Sequence, residues 1–383
     1  MDSTSDISVV IIARNSALTI AACLDSVLAQ DLGFAKIIIV DNCSQDETTS
    51  ILGQYSHLKH IEIIHEKRIG RSVARNRGIS LVQTDYTLLL DSDIQLGQDF
   101  CLHLKEYLGK YNPDILIGRV VPFTTQENFL DSYRSRFKSF VSNDTFVSLF
   151  KRDNIAPVVN TATAVFRTSL FSEVGGFDER LSRSEDRDLS RRLFYAHKVI
   201  TVNSNLVSFS LPTRKITDYL MRSFDYGLAN ANYDRLWGDR FEHYSLGSLL
   251  DFYKFSQSLH MVLFFLVNNF LYRVGYFVGW LFIKKKLVPS KEKLSKLKVK
   301  LNMVKKNILK FRGGIYYLQP MWFYFFIDER IVFVDRFNNK ITLDKDQSKT
   351  LLDLFDEKKS NRELKCEALI NILRKNQVYK RML

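Results

Sequence analysis

The stretch Tyr86-Thr87-Leu88-Leu89-Leu90-Asp91-Ser92-Asp93 decides the fold class of this chain. Its three consecutive leucines are typical of a strand that is buried on both faces of a parallel sheet. Two carboxylates follow where this strand ends, and open α/β sheets bind their ligands at that edge. Because residues two apart on an extended chain point the same way, Asp91 and Asp93 are predicted to converge on one divalent cation while Ser92 points elsewhere. We expect that cation to carry a diphosphate.

Strands and helices alternate on both sides of this stretch. The predicted strands are Ile7 to Ala13, Lys36 to Val40, Ile61 to Ile64, Asp114 to Val121, Thr163 to Phe166 and Asn205 to Ser210; the predicted helices surround Leu24 and cover Thr48 to Tyr55, Arg71 to Val82 and Phe129 to Phe140. The early alternation indicates parallel strands joined by helices, an architecture of nucleotide-binding α/β proteins. The fingerprint Gly-x-Gly-x-x-Gly is absent after the first strand, so an ordinary NAD domain is disfavoured.

Two features near other strand ends suit a nucleotide. Asp41 closes the second strand, where its carboxylate is predicted to accept hydrogen bonds from the ring N–H and the ribose hydroxyls. The alternative is a turn cap that Asp41 makes with Ser44 and Asp46. The segment from Gly70 to Gly78 carries three arginines, some of which must face solvent on a helix. Arg75 is the one that we predict to contact a phosphate or a base.

Glu185, Asp186 and Asp188 form an acidic motif directly after Ser184. Acidic groups favour the N-terminal end of a helix, so capping of the helix predicted at Ser190 to Ala196 is one interpretation. Three acids exceed what a cap requires. The second interpretation is therefore a catalytic base.

The composition is that of a folded protein with several regions. The chain has 383 residues, 46% of them hydrophobic and 25% charged, which leaves room for two or three domains. Its four cysteines are scattered without a Cys-x-x-Cys pair, which disfavours a disulfide framework or a zinc site and favours a reducing cytosol. We expect no signal peptide, because Met1 to Asp6 is polar and a short strand follows.

The positive charge is concentrated in one segment. Residues 284–312 contain twelve lysines and arginines and one acid, Glu292, which together account for +11 of the net charge of +13. The apolar and aromatic stretch from His260 to Ile283 is interrupted by Arg273, so it is marginal as a membrane span. The two segments favour peripheral attachment to an anionic membrane surface, with a buried core helix as the alternative. No readout motif accompanies the basic run, so we expect no nucleic acid partner.

The chain divides into three predicted regions. Residues 1–230 hold the α/β domain, residues 231–312 the apolar and basic helical segment, and residues 313–383 a small α+β module. Short strands are predicted in the module at Ile315 to Leu318, Phe323 to Ile327, Ile331 to Val334 and Lys340 to Leu343, a hairpin turn at Asn338-Asn339, and helices at Asp346 to Phe355 and Glu363 to Leu373. This pattern has some similarity to a winged-helix peptide-recognition module. The interpretation that we favour is a stabilising or oligomerisation domain.

Six pieces of sequence, in their order along the chain, resemble family 2 of the nucleotide-sugar glycosyltransferases. They are SVVIIARN at 8–15, IIIVDNCSQDET at 37–48, GRSVARNRGI at 70–79, LLLDSD at 88–93, GGFDERL at 175–181 and SEDRDLSRRL at 184–193. The resemblance covers residues 7 to about 230. It implies the GT-A fold, a Rossmann-like and mostly parallel sheet flanked by helices.

The resemblance also implies how the donor is held. Ala13, Asn15 and Asp41 would bind the nucleoside, most often uridine in this family. Asp91 would touch the ribose or a phosphate, and Asp93 together with Asp91 would bind the Mg²⁺ or Mn²⁺ that bridges the diphosphate.

On the acceptor side the resemblance points to the acidic motif. Glu185 and Asp186 would supply the catalytic base, Asp186 being the residue carried over to that role, and the anomeric centre would be inverted. One position departs from the family. Many relatives complete the metal site with a histidine where this chain has Ser210. We therefore expect the metal to be bound more weakly, or a water molecule to complete its coordination.

The sequence thus predicts an inverting, metal-dependent hexosyltransferase that uses a UDP-sugar at the cytoplasmic face of the cell membrane. Thr217 to Tyr233 resembles the amphipathic segment that leads to the bilayer in membrane-associated relatives. The predicted acceptor is a lipid-linked or surface glycan. Two alternatives stay open: a peptide or small-metabolite acceptor recruited by the C-terminal module, and an inactive nucleotide-binding scaffold.

Overall fold

The computed structural model describes residues 6–31, 33–122, 129–130, 132–133, 159–196, 198, 200–211, 216–237, 258–282, 308–311, 314–318, 322–327, 330–335, 340–355, 369, 372–373 and 379–381. Its strands are β1 (Ile7–Ala13), β2 (Lys36–Asp41), β3 (Ile61–His65), β4 (Tyr86–Asp91), β5 (Ile94–Leu96), β6 (Ile115–Pro122), β7 (Thr163–Arg167), β8 (Ile200–Ser210), β9 (Ile308–Phe311), β10 (Gly314–Leu318), β11 (Trp322–Ile327), β12 (Arg330–Asp335), β13 (Lys340–Thr342) and β14 (Tyr379–Arg381). Its helices are α1 (Ile20–Leu28), α2 (Thr48–Gly53), α3 (Arg71–Ile79), α4 (Phe100–Tyr111), α5 (Ser169–Val174), α6 (Glu185–Tyr195), α7 (Ile216–Trp237), α8 (Leu259–Phe282) and α9 (Lys345–Phe355).

One large mixed sheet organises the described residues. Its strand order is β13-β12-β11-β8-β6-β7-β4-β1-β2-β3, and β5 pairs with β8 outside this path. The neighbours β3, β2, β1 and β4 are parallel, as the alternation of strands and helices predicted. Strand β7 runs antiparallel to both β4 and β6. The predicted α/β fold class is confirmed.

Apolar layers cover both faces of this sheet. Val9 and Ile11 of β1 lie in one core cluster with Leu24 of α1, whereas Val10 lies in a second cluster with Ala74 of α3. Successive strand residues point to opposite faces, so a strand with cores on both sides needs apolar residues throughout. The two-sided core accounts for the continuous apolar run from Val9 to Ala13 in β1.

Helix α3 approaches the sheet closely at Gly78. A Cβ atom there would collide with Val10 Cγ1 and would lie 3.2 Å from Val40 Cγ2. Arg75 lies one turn earlier in the same helix and is buried, with 2% of its surface exposed. The close contact fixes the helix that brings Arg75 to the strand ends.

Strand β5 and helix α4, which follow Asp93, were not predicted from the sequence. Helix α6 begins at Glu185, directly after Ser184, and so includes the acidic motif as well as the predicted helix from Ser190. In α4 the buried residues include Phe100, Cys101 and Leu104, a spacing typical of an amphipathic helix. The acids at the start of α6 lie inside the helix, where they complement its dipole.

The C-terminal strands continue the same sheet. Strand β11 pairs in parallel with β8 through Phe326 opposite Thr201 and Ile327 opposite Val202, and β12 and β13 extend the sheet outward. Phe333 of β12 belongs to the same core cluster as Val9. Strands β9, β10 and β14 form a separate antiparallel sheet. Most residues of the two helices predicted at 129–140 and 363–373 lie outside the described residues. The hairpin turn predicted at 338–339 lies outside them as well.

Helices α7 and α8 pack against each other at close range. A Cβ atom on Gly227 would collide with the carbonyl oxygen of Tyr272, and one on Gly275 would collide with that of Phe224. Among the described residues, one helical segment, Leu259–Leu281, is long and apolar enough to cross a membrane by length and composition. Its exposed apolar side chains are Leu259, Leu263, Leu266, Val267, Phe270, Phe277, Trp280 and Leu281.

Candidate active site

The two carboxylates that follow β4 lie where the ends of several strands meet. Ser92, between them, has its hydroxyl 2.7 Å from that of Ser16 in the turn after β1. The backbone N–H of Leu211, just past β8, donates to the Asp93 carbonyl oxygen at 2.8 Å. Ser210, the last residue of β8, pairs with Ile94. The position where the resemblance expects a histidine ligand therefore lies beside Asp93.

Arg75 joins the end of β4 to the acidic motif. Its Nη2 donates to Asp91 Oδ1 at 2.9 Å, and its Nη1 donates to Glu185 Oε1 at 2.6 Å. The guanidinium carbon lies 5.3 Å from the ring centroid of Phe177. Arg75 and Glu185 are both buried, and the two carboxylates hold the arginine pKa above its ordinary value against the effect of burial. The predicted site residues Asp91, Arg75 and Glu185 thus form one ion-paired chain.

Asp93 lies beside charges of both signs. Burial and the negative charge of Asp91 raise the pKa of the Asp93 carboxyl, while Arg222 and Arg71 act in the opposite direction. Arg71 and Arg222 are exposed, and neither guanidinium forms a hydrogen bond or an ion pair in the described part of the chain. The carboxylate edge therefore has two cationic side chains nearby that are available to an anion.

The residues around Asp93 fit a hard divalent cation. Asp91 and Asp93 supply carboxylate oxygens, and a cation between them would relieve the repulsion that raises the Asp93 pKa. Among the described residues, no group of three or more His, Cys, Asp or Glu side chains is placed to hold a metal. Such a donor set suits an ion that keeps several waters and takes further oxygens from substrate phosphates.

The turn after β1 and the end of β2 form the second part of the site. Asn15 adopts a left-handed backbone with φ of 50°, and its side-chain oxygen accepts from the N–H of Gln45 at 2.8 Å. The N–H of Asn15 donates to the Ser44 hydroxyl at 3.0 Å. The carbonyl of Ala13 accepts from the N–H of Asn42 at 2.8 Å. The structure therefore brings the predicted nucleoside residues Ala13 and Asn15 next to the turn after Asp41.

Asp41 is buried and closes that turn. Its Oδ1 accepts from the N–H of Ser44 at 3.1 Å, and its Oδ2 accepts from the Thr49 hydroxyl at 2.7 Å and lies 3.3 Å from Nδ1 of His65. Burial raises the pKa of the Asp41 carboxyl, but the hydrogen bonds from Ser44 and Thr49 outweigh it and hold the pKa below its ordinary value. Asp41 therefore makes the contact to Ser44 that the turn-cap interpretation predicted, and its side chain is an ionised carboxylate in this contact.

Asp186 lies at the start of α6, beside the ion pair of Arg75 and Glu185. Burial and the negative charge of Glu185 together raise the pKa of its carboxyl to about 6, against the opposing charges of Arg75 and Arg187. One carboxylate oxygen accepts from the N–H of Arg187 at 2.8 Å. A carboxylate with this pKa is mostly ionised at neutral pH and is a stronger proton acceptor than an ordinary aspartate.

The third acid of the motif, Asp188, has different neighbours from Glu185 and Asp186. Asp188 is buried and accepts from Arg192 through two nitrogens at 2.9 and 2.7 Å. Its other oxygen accepts from the indole N–H of Trp237 at 3.1 Å. The carboxylate of Asp188 is thus paired within the protein and ties α6 to α7.

Sequence reasoning missed the contribution of helix α7 to this site. Arg222 in that helix acts on Asp93, and Asn230 hydrogen bonds to residues on both sides of Glu185 and Asp186. Arg71 is one of the three arginines between Gly70 and Gly78, and the helical pattern did not show which of them face solvent. Helix α7 carries no local pattern that marks these side chains, because their partners come from distant parts of the chain.

The mixed sheet with its flanking helices is a fold of the GT-A type. The structure resembles a mannosyltransferase from Pyrobaculum calidifontis solved in complex with GDP-Man and Mn²⁺, with a TM-score of 0.51 at 13% identity over 73% of this chain and 88% of that one. At this identity the likeness shows the fold alone. The predicted GT-A architecture is confirmed.

The sequence gives a matching result. Residues 8–175 match the family model described as "Glycosyl transferase family 2", which confirms the resemblance that the six sequence pieces predicted. The chain is 24% identical over 240 residues to the glycosyltransferase GlyA of Streptococcus pneumoniae and 26% identical over 227 residues to the pre-mycofactocin glycosyltransferase of Mycobacterium tuberculosis. These matches cover 60% and 58% of this chain but only 34% and 46% of the relatives.

Proposed function

We propose that this protein is an inverting glycosyltransferase that moves a sugar from a UDP-sugar to an acceptor hydroxyl with Mg²⁺ or Mn²⁺ bound. The observation that carries the proposal is the Arg75 bridge between Asp91 and Glu185. It joins the strand end that suits a nucleoside diphosphate to the helix that bears Asp186. A donor site and a proton acceptor held together by one side chain support transfer between two substrates.

On the donor side, the turns at Asn15 and Asp41 would hold the nucleoside, which the family resemblance makes uridine. Asp93 and Asp91 would hold the cation, which neutralises charge on the leaving diphosphate when bound. The exposed guanidinium groups of Arg71 and Arg222 face the same edge and would contact the diphosphate oxygens. Two arginines beside the diphosphate offset the weaker metal site that Ser210 implies.

On the acceptor side, Asp186 would take the proton of the acceptor hydroxyl as its oxygen attacks the anomeric carbon. The bond from that carbon to the diphosphate oxygen breaks in the same step, and UDP leaves with the electron pair. A single displacement of this kind inverts the anomeric centre. The raised pKa of Asp186 suits this role, because a base works best when its pKa is near the working pH.

We assign Glu185 a supporting role in the catalytic pair. Its carboxylate is bound by Arg75 at 2.6 Å, which leaves proton transfer to Asp186. The negative charge of Glu185 helps to raise the Asp186 pKa. Glu185 therefore sets the basicity of its neighbour and holds Arg75 in place.

The acceptor that we propose is a lipid-linked or surface glycan at the cytoplasmic face of an anionic membrane. The exposed apolar side chains of α8 and the basic run that follows the helix in sequence support this location. The second candidate acceptor is a peptide or small metabolite recruited by the C-terminal module. The pairing of β11 with β8 supports a structural role for the C-terminal strands over recruitment of an acceptor.

The test is release of UDP from a set of UDP-sugars in the presence of Mn²⁺ and a membrane lipid extract. We expect one UDP-sugar to yield UDP in an acceptor-dependent way and the Asp93→Asn variant to lose that activity. Normal nucleotide binding without turnover of any donor or acceptor would overturn the proposal and favour the inactive scaffold. Turnover with soluble peptides or metabolites alone would overturn the proposed acceptor class.

A further inference from the structure

A buried amide in helix α7 links helix α8 to the acidic motif. Asn230 has 3% of its surface exposed. Its Oδ1 accepts hydrogen bonds from the Ser184 hydroxyl and from Arg187 Nη1, the latter at 3.0 Å. Its Nδ2 donates to the Tyr272 hydroxyl of α8 at 2.7 Å. Ser184 and Arg187 flank the acidic pair, so one side chain holds the motif on both sides.

The partners of this amide fix its orientation. A guanidinium has only donors, so Arg187 must face the amide oxygen and not the NH₂ group. The NH₂ group then points to Tyr272, whose hydroxyl oxygen accepts. Rotating the amide by half a turn would place its NH₂ group against the Arg187 guanidinium, so that two donors would face each other. Asn230 therefore has one favourable arrangement, and that arrangement binds both helices to α6.

Ser184 has a backbone that depends on such support. Its φ of 60° lies in the left-handed region, which residues other than glycine rarely adopt and keep only where their surroundings hold them. Its carbonyl accepts the N–H of Asp188 at 3.1 Å, so the left-handed residue begins helix α6. The hydrogen bond to Asn230 holds the side chain of the residue that immediately precedes Glu185.

The close packing of α7 on α8 makes this arrangement attainable. Gly227 lies three residues before Asn230 on the same helix face, and a Cβ atom on it would collide with the Tyr272 backbone carbonyl. The Arg187 guanidinium also lies 4.3 Å from the ring centroid of Tyr233, three residues after Asn230. The contact surface of α7 thus has Tyr272 on one side and Arg187 on the other.

We infer that Asn230 is the positioning residue that sets Asp186 for proton transfer and couples helix α8 to the acidic motif. The inference rests on the proposed function, because it assigns Asn230 a part in the same reaction. Asn230 touches none of the reacting atoms. It acts through Ser184 and Arg187, and Tyr272 holds it from the side of α8.

The test compares Asn230→Ala with Asn268→Ala in the full-length protein. Asn268 of α8 accepts a hydrogen bond from Ser223 of α7, so it joins the same two helices without contacting α6. We expect Asn230→Ala to lower kcat by about tenfold to a hundredfold, the effect of a small misplacement of a catalytic group, with the UDP-sugar KM within about threefold. Asn268→Ala should leave kcat within about threefold. Equal losses in the two variants would overturn the inference.

The pH profile of kcat separates positioning from a general loss of structure. The charged groups that act on Asp186 are Glu185, which raises its pKa, and Arg75 and Arg187, which lower it. Without Asn230, Arg187 loses a partner and its charge moves away from Asp186. The acidic limb should therefore shift to higher pH in Asn230→Ala and stay in place in Asn268→Ala. A lower kcat with an unshifted limb would overturn the inference.

Tyr272→Phe provides a second variant if Asn230→Ala does not fold. It keeps the ring and removes only the hydroxyl that accepts from Asn230, so we expect a smaller fall in kcat with the same direction of pH shift. Wild-type kcat and pH profile in Tyr272→Phe would overturn the coupling to α8. A failure of the proposed function would look different, because the wild-type protein itself would then turn over no UDP-sugar.

Discussion

Arg75 and Glu185 lie 110 positions apart in the sequence and meet in a buried ion pair with 2.6 Å between Nη1 and Oε1. The other terminal nitrogen of Arg75 binds Asp91 at 2.9 Å. One guanidinium thus connects the end of β4 to the start of α6. In the proposed reaction these are the donor side and the acceptor side of the site.

Replacing Arg75 should strongly destabilise the fold. Arg75→Gln would leave Glu185 buried without its charge partner and Asp91 without its ion pair, and breaking a buried pair in this way costs about 3–5 kcal/mol. Urea unfolding measures the loss. The matched control is Arg77→Gln, an exposed arginine of the same helix, which should change stability by about 0.5 kcal/mol or less. Equal stabilities of the two variants would contradict the structural role of Arg75.

Two acids of the same helix should separate catalysis from stability. Asp186→Asn should reduce sugar transfer by about 10² to 10⁴, the usual contribution of a general base, and leave UDP affinity and thermal stability near wild type. Asp188→Asn breaks the buried pair with Arg192 and the contact to Trp237, so it should lower the melting temperature while the folded fraction keeps its turnover. Parallel melting curves and transfer assays check both. Loss of UDP affinity in Asp186→Asn would instead indicate a structural role for Asp186.

The rate of transfer should fall in mildly acidic solution. The proposed base Asp186 would act as a carboxylate, and burial raises its pKa to about 6, so lowering the pH through 6 should protonate it and remove activity. Below that value kcat should drop by about tenfold per pH unit, and above it kcat should be level until another group titrates. The measurement is kcat at a saturating concentration of the donor, taken between pH 4.5 and 8. An acidic limb near the ordinary aspartate pKa would exclude Asp186 as a buried base.

Strands β1 and β4 and the carboxylates after β4 could be predicted from the sequence because the residues that indicate them are neighbours in the chain. The apolar run from Leu88 to Leu90 and the carboxylates that follow it lie within one short segment. Strand β1 was predicted with the bounds that the structure shows, Ile7–Ala13. A short run of β-branched and apolar residues such as Val9 to Ala13 is typical of a strand with cores on both faces.

The contacts that give the site its electrostatics could not be predicted in the same way. The partner of Glu185 depends on where helix α3 lies, and the role of Asn230 depends on two further helices. Neither relationship leaves a pattern in the neighbouring sequence. The C-terminal strands show the same limit: β11 was identified as a strand, but its pairing with β8 required the tertiary fold.

Association with membranes should depend on the exposed side of α8. A variant with Phe270→Ser, Phe277→Ser and Trp280→Ser removes three side chains that are 65%, 59% and 55% exposed, so it should lose most of its binding to vesicles that contain phosphatidylglycerol. The control is Leu102→Ser, an exposed leucine of α4. Sedimentation at low and high salt measures both, and high salt should release the wild-type protein. Vesicle binding unchanged in the triple variant would contradict attachment through α8.

The most direct test of the central claim is a thermal-shift panel of nucleotide sugars with and without Mn²⁺. A ligand at about 100 times its dissociation constant stabilises the folded state by roughly 2.7 kcal/mol. The proposed function predicts that a UDP-sugar stabilises the protein in the presence of Mn²⁺, that EDTA removes most of the effect, and that Asp93→Asn does the same. Absence of stabilisation by every nucleotide sugar, with and without metal, would contradict the claim that this edge of the sheet binds a nucleotide-sugar donor.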